Sequence, residues 1–319
     1  MTEIEKQQAD EKVESEVQPE ITAVPTIKIR KRKLGDRWNG YKVRSLPPMQ
    51  YVTSYVMKDR NDASNYFRSR IEMTQINKYI RYKAKEENMP GFGFMHILAA
   101  AFVRVLCTYP GLNRFISGQK IYHRHEILLS MIVKKDFSAN AQGTSIRPVF
   151  KETDTIYDVY KKMQAEIDVA SQAGDSNAMD NVARAVTKLP SLLLRGFVGL
   201  MKCLDYFGIM PKLIYRASPF HGSMFISNLG SLGIPPIYHH LYNFGDMPIF
   251  LTFGGIYREN FVKDDGTVEV RKYIDYTVVS DERITDGSYY AAAMKLWYRL
   301  LCHPWELDKP PAEIIPDVD

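Results

Sequence analysis

Seven consecutive residues, Asp281-Glu282-Arg283-Ile284-Thr285-Asp286-Gly287, hold three carboxylates, a guanidinium and a glycine. Carboxylates at this density can move protons, or they can brace a turn through ion pairs. The surroundings decide, because desolvation raises a carboxyl pKa and a nearby cation lowers it. Imidazole is the other side chain suited to proton transfer near neutral pH. Of the seven histidines, His239 and His240 are adjacent in "IYHHLYNFG". Neighbours on a strand point to opposite faces, so at most one of the pair is expected to serve a given site. His96 lies in an apolar run and reads as a core histidine. His123 and His125 flank Arg124 in an expected hairpin, and His221 precedes a strand. None has a second ligand at metal spacing, and no metal is expected.

The elements that must position these groups follow from periodicity. "IDYTVVSD" reads as a strand entering the charged turn, and a helix opens at Gly287 and stops at His303-Pro304. "MQYVTSYVM" has strand-like alternation, with "YFRSRIE" as its partner strand. Thr74 suits the N-cap of "QINKYIRYKAKEEN", in which Ile76, Tyr79, Ile80 and Lys83 share a face. "FMHILAAAFVRVLCTY" is apolar nearly all round and is expected to be a buried helix. Short strands surround "SGQK", and "TSIRPVF" reads as a further strand. The apolar segment Leu189 to Tyr215 is broken by Arg195, Lys202 and Asp205 and falls short of a membrane span. It is expected to form buried or amphipathic core helices, with membrane-surface contact, a lid over the site or an oligomer contact as alternatives. Strands and helices interleave without strict β-α-β alternation. The fold class is therefore α/β of the layered α+β kind, a mixed sheet with helices packed on it.

The chain has 319 residues, 45% of them hydrophobic and 25% charged, an ordinary globular balance. Its net charge of +5 is unevenly placed. Residues 1–24 carry seven acidic side chains against two lysines and read as a disordered acidic tail. Residues 25–44 carry eight basic side chains against Asp36 and form a basic arm. A domain over 45–306 and a C-terminal tail over 307–319 complete the division. No nucleic-acid motif accompanies the arm, so neither nucleic acid nor a membrane is an expected partner. Cys107, Cys203 and Cys302 are isolated, which points to a reducing, cytoplasmic setting. No GxGxxG or P-loop pattern occurs.

Five stretches carry a resemblance: "RIEMTQINKYI", "FMHILAAAFVRVLCTYPGLNRFI", "SIRPVF", "FISNLGSLG" and "VVSDERITDG". In this order and spacing the chain resembles the acyltransferase core of 2-oxo-acid dehydrogenase complexes and, more distantly, chloramphenicol acetyltransferase. The resemblance implies a chloramphenicol acetyltransferase-like fold, a homotrimer or higher homo-oligomer, and an active site at the subunit interface. It implies acyl-CoA as a substrate and a small thiol, hydroxyl or amine acceptor. Ser227 matches the serine that stabilises the tetrahedral oxyanion. Asp286 and Gly287 match the end of the family's HxxxDG motif, where the aspartate braces the turn. The motif histidine is replaced by Glu282. An ordinary glutamate, near 4.3, is about two units weaker as a base than imidazole. Burial in a channel would restore basicity, and Arg283 beside it would oppose that by favouring the charged form. His239 or His240, in the loop after the serine, is the other candidate base. About 40 residues precede the core, and no attached lipoyl group is expected. The implied function is acyl transfer from acyl-CoA at a subunit interface. A catalytically inactive oligomeric scaffold or binding protein of the same fold is the alternative.

Overall fold

A computed structural model of the chain describes residues 30–134, 143–172, 187–188 and 190–319. The acidic tail and the first residues of the basic arm lie outside the described residues.

The organising element is β10 (Val268–Asp281), which runs antiparallel to β2 (Ser64–Glu72) on one side and β9 (Ile249–Val262) on the other. Beyond β9 come β8 (Met224–Asn228) and β5 (Ile127–Lys134), each parallel to its neighbour. The edge is formed by β6 (Gly143–Ile146), antiparallel to β5, while the short β7 (Val149–Phe150) also pairs β5. The sheet order β2-β10-β9-β8-β5-β6 is thus mixed. A smaller sheet joins β1 (Gly40–Lys42), β4 (Lys120–Arg124) and β3 (Arg114–Ser117). Its β3–β4 turn carries Gly118 and Gln119 at positive φ, the conformation a tight hairpin needs.

Alternation along the strands gives the main sheet two distinct faces. Ile226, Leu251, Tyr276 and Val278 point into the principal core, where Leu98, Phe102 and Trp297 meet them. Those three side chains come from α3 (Phe94–Thr108) and the C-terminal α7 (Gly287–Cys302). Eleven of the fifteen residues of α3 are buried, as its all-round apolar sequence demands. His96 is among them; its Nδ1 accepts the Gly93 N–H at 3.1 Å, and burial lowers its pKa to about 4. Also on the described chain are α1 (Pro48–Val56), α2 (Thr74–Lys85), α4 (Ile156–Gln172), α5 (Ser191–Phe207) and α6 (Lys212–Ala217). Among the described residues no helix is long and apolar enough to cross a membrane.

Three expectations are corrected. The stretch expected as a strand, "MQYVTSYVM", is α1, opened by Pro48 at a position where the missing N–H costs nothing. Its β-forming residues do not decide the matter, since β-propensity expresses packing against strand neighbours and here only Ser54 is buried. Thr74 is inside α2, whose N-cap is Met73; the Thr74 N–H turns to Glu72 Oε1 at 3.2 Å. The apolar α5, expected in the core, buries only Met201 fully.

Both chain extremities of the described region pack on the domain. Asp36 is buried, accepting the N–H groups of Lys33 (2.8 Å) and Lys42 (3.0 Å) and Arg44 Nη2 (2.9 Å). In the segment expected as a C-terminal tail, Leu307 is buried and the Ile315 N–H reaches the Cys107 carbonyl at 2.7 Å. Asp317 pairs with Arg114 and His123, and Asp319 pairs with Arg30 and Lys33.

Candidate active site

The charged turn is a short 3-10 segment, Glu282–Ile284, between the end of β10 and the start of α7. Asp281 is buried and receives Arg283 Nε at 2.8 Å and Nη2 at 2.7 Å. Arg60, also buried, adds its Nε at 3.4 Å and spends its other nitrogens on the carbonyls of Tyr242 (2.6 Å) and Gly245 (3.0 Å). Arg283 Nη1 reaches the carbonyls of Met57 and Lys58 at 2.8 and 3.1 Å. Charges taken out of water are tolerable only when paired and hydrogen-bonded in this way. The Ile284 carbonyl accepts Arg114 Nη1 at 3.1 Å and Gln50 Nε2 at 3.2 Å.

Arg283 is therefore committed to Asp281, not to Glu282 as its sequence position suggested. Glu282 donates its N–H to the Ala63 carbonyl at 2.8 Å. Its side chain is exposed, and among the described residues it has no hydrogen-bond or ion-pair partner. Among the described residues Asp286 pairs with no arginine; it caps α7, accepting the Tyr289 N–H at 2.9 Å and the Ser288 hydroxyl at 2.5 Å. Those two donors, the hydroxyl first, hold its carboxyl below the usual range. Gly287 has open space where a Cβ would sit.

The serine is presented differently. Ser227 lies near the end of β8, opposite Thr252 of β9, which is opposite Thr277 of β10. Residues in register share a face, so the three hydroxyls form a row on the side away from the principal core. The threonine hydroxyls, 2.7 Å apart, close on the Ile237 carbonyl, and the Ile237 N–H donates to Thr252 Oγ1 at 3.1 Å. These bonds pull the segment after β8 back across the sheet. There Leu241 and Met247 pack with Phe225, Phe250 and Val279. Ser227 is half-buried, and among the described residues its hydroxyl has no partner.

The segment that carries His239 and His240 is not a strand, so the expected opposition of their side chains does not hold. The two rings stack at 4.6 Å, His240 exposed and His239 half-buried flat against Phe250 at 3.9 Å. His239 Nδ1 lies 2.8 Å from the His240 carbonyl. A carbonyl can only accept, so this nitrogen carries the proton and Nε2 keeps a free lone pair. Burial lowers the His239 pKa, which favours the neutral imidazole.

Register gives the separations. Glu282 lies five residues beyond Thr277, past the end of β10, while Ser227 is level with Thr277 two strands away. At ~4.8 Å between strands and ~3.3 Å per residue, the two backbones stand roughly 20 Å apart. Phe250, the ring that His239 covers, is by the same spacings roughly 8 Å from Ser227. Phe250 is opposite Val279 and by the same spacings roughly 11 Å from Glu282, so the ring that His239 covers lies between the serine and the turn. Beside the turn is an opening of about 560 Å³, with Lys58, Gln119, Lys202 and Asn243 on its rim and Arg283 at its wall. Lys58, Lys202 and Arg60 carry no signal in the sequence, because the contacts that gather them span 57 to 283 in the chain.

Residues 216–308, from the approach to β8 through α7, match the model of the 2-oxoacid dehydrogenases acyltransferase (catalytic domain) family. No curated protein matches the chain by sequence. A probable dihydrolipoamide acetyltransferase from Listeria monocytogenes 4b F2365 is similar in structure, with a TM-score of 0.51 and 15% identity over 82% of this chain and 94% of that one. The dihydrolipoamide acetyltransferase of Azotobacter vinelandii is similar too, with a TM-score of 0.51 and 14% identity over 88% of this chain and 99% of that one. That structure belongs to a study of a serine, a histidine and an asparagine, the last two four positions apart, in its catalytic mechanism. The chain has the mixed α/β fold of these acyltransferase catalytic domains.

Proposed function

We propose that this protein transfers an acyl group from acyl-CoA to a small thiol, hydroxyl or amine, at a site completed between copies of the chain. One observation carries the reading. Ser227 and Glu282, which the resemblance matches to the family's serine and histidine, both lack partners within the described chain, and roughly 20 Å of sheet separates them. Neighbouring charges at the turn are locked, so these two groups are left for something outside the chain. The spacing of Glu282 and Asp286 repeats the four-position interval of the Azotobacter histidine and asparagine.

In the proposed reaction a base takes the proton from the acceptor, whose heteroatom attacks the thioester carbonyl. The Ser227 hydroxyl donates to the oxyanion, and collapse expels the CoA thiolate, which recovers the proton from the base. Glu282 of a second copy would be the base if that copy buries it, since burial is what raises a carboxyl towards neutral pH. His239 of the same chain, with Nε2 free and its ring stacked on Phe250, roughly 8 Å along the sheet from Ser227, is the alternative base. Lys58 and Lys202 line the opening together with Asp59 and Asp205, and the two lysines are the groups that could meet the phosphate-bearing end of acyl-CoA.

The test is thioester cleavage with acetyl-CoA and generic thiol and amine acceptors. Ser227→Ala should lower the rate by about 10²–10³. Glu282→Gln or His239→Gln, whichever removes the base, should abolish turnover while the other leaves it. Lys58→Ala with Lys202→Ala should raise KM for acyl-CoA with kcat unchanged. A solution mass near three times 36.7 kDa is expected. The exposure of Glu282 favours a second reading, a binding or scaffold protein of this fold without a working base. There the wild type would be inactive and Glu282→His would gain cleavage. No CoA binding by the wild type or by Glu282→His would sink both forms of the acyltransferase reading.

A further inference from the structure

The apolar surface of α5 is only partly covered by the domain. Leu194, Phe197, Met201 and Leu204 recur at helical spacing and face the domain; Phe197, Met201 and Leu204 join a small cluster with Trp38, Met210, Tyr215 and Phe244. Along the edge of that covered side run Leu193, Leu200 and Phe207, seven residues apart and so two turns apart on one line, and exposed Leu192, Cys203 and Tyr206 carry the surface on round the helix. Leu192 beside them is 79% exposed, Leu200 53% and Phe207 64%. The line continues past the helix end through Ile209 (65%) to Leu213 of α6 (83%).

Cations edge this apolar surface on one side: Arg195 and Lys202 follow Leu192 and Tyr206 round the helix, across from the Leu193–Phe207 line. Residues 187–217 hold five basic side chains, Lys188, Arg195, Lys202, Lys212 and Arg216, all exposed. The one carboxylate of the stretch, Asp205, is turned inward and meets His221 Nε2 at 3.3 Å. The fold adds a second, separate source of charge. Arg32 and Gly35 of the basic arm line the same groove as Phe207 and Ile209. Exposed Lys31 and the fully exposed Leu34 flank them in the chain. Arg37 fixes this junction, donating to the Asp205 carbonyl at 3.2 Å and the Tyr206 carbonyl at 2.7 Å at the C-terminal end of α5. Gly208, at φ +71°, ends the helix there, and a Cβ on it would collide with the Arg37 guanidinium at 2.6 Å.

We infer that the outer face of α5 and α6, with the adjoining basic arm, docks the protein on an anionic lipid surface. A helix with an apolar line bordered by Lys and Arg lies in the plane of such an interface, its apolar side chains below the headgroups and its cations among them. A second copy of the same face is the poorer occupant, because a two-fold contact would set each cation cluster against its own kind. This inference does not depend on the acyltransferase reading, and its test needs no turnover.

The test is flotation of the full chain with vesicles of phosphatidylcholine alone and of phosphatidylcholine with phosphatidylglycerol. Retention is expected on the mixed vesicles, weaker on the neutral ones, and falling as added salt shortens the screening length. Leu200→Asp with Phe207→Asp should remove retention on both. Arg195→Glu and Arg216→Glu should each lower binding to the mixed vesicles by at least about fivefold and leave the neutral ones unaffected. These side chains are exposed, so thermal unfolding should match the wild type; Leu213→Asp on α6 serves as an independent apolar variant. Absence of retention on the mixed vesicles, or retention indifferent to all these variants, overturns the inference. So does a fall in solution mass caused by Leu200→Asp with Phe207→Asp, which would make the face a contact between copies.

Discussion

The turn at 281–287 and the hydroxyl row at 227, 252 and 277 each present one group without a partner among the described residues, Glu282 and Ser227, yet they hold it by opposite means. At the turn, two buried guanidiniums converge on one buried carboxylate, and the fixed charges sit directly beside the free one. At the row, neutral hydroxyls gather a single carbonyl, and a stacked imidazole completes the cover. Buried ions are costly to leave unpaired, whereas a neutral hydroxyl pair tolerates losing one member. The turn is thus a rigid mount that fails as a unit, and the row is a softer one that fails in steps.

The contrast is easiest to break at the turn. Arg283→Ala leaves Asp281 with Arg60 alone and frees the Met57 and Lys58 carbonyls; a loss of about 3–5 kcal/mol in urea unfolding is expected. Thr252→Val should cost about 1 kcal/mol, because Thr277 still serves the Ile237 carbonyl. Combining it with Thr277→Val should cost more than the two singly, which a double-mutant cycle would detect. Asp286→Ala, which strips the cap of α7, should cost about 1 kcal/mol at neutral pH. The folded carboxyl titrates below its unfolded value, so its contribution is full above the unfolded pKa, about 3.9, and vanishes as pH falls through the folded one. Wild type and Asp286→Ala should therefore converge in acid. Glu282→Gln is the smallest change, within about 0.5 kcal/mol, since among the described residues nothing rests on that side chain. A large destabilisation there would show that Glu282 belongs to the mount.

Much of the turn's frame was legible beforehand. "IDYTVVSD" alternates because β10 buries Ile274, Tyr276 and Val278 on one side, and Asp286 precedes a helix in the position of a cap. Ser227 entered through the resemblance and not through its local sequence, which reads as an ordinary strand end. What local sequence could not show was direction: Arg283 is adjacent to both Asp281 and Glu282, and only the distant Arg60 and the Met57 and Lys58 carbonyls decide which it serves. The same blindness affected α1, where β-forming residues lie on an exposed helix. It also affected α5, whose apolar run looked like core. Periodicity reports that a residue is apolar, not whether its side of the helix has been given a neighbour.

The Arg114 side chain touches both Asp317 and the Ile284 carbonyl. His123 and Arg114 together outweigh burial and draw the Asp317 carboxyl down to about 2. Position 317 is in this sense a neighbour of the turn, although more than thirty residues of chain lie between them. A tag, a truncation or a fusion junction placed in the last few residues would therefore alter the geometry around Glu282, and its effect would look like damage to the site.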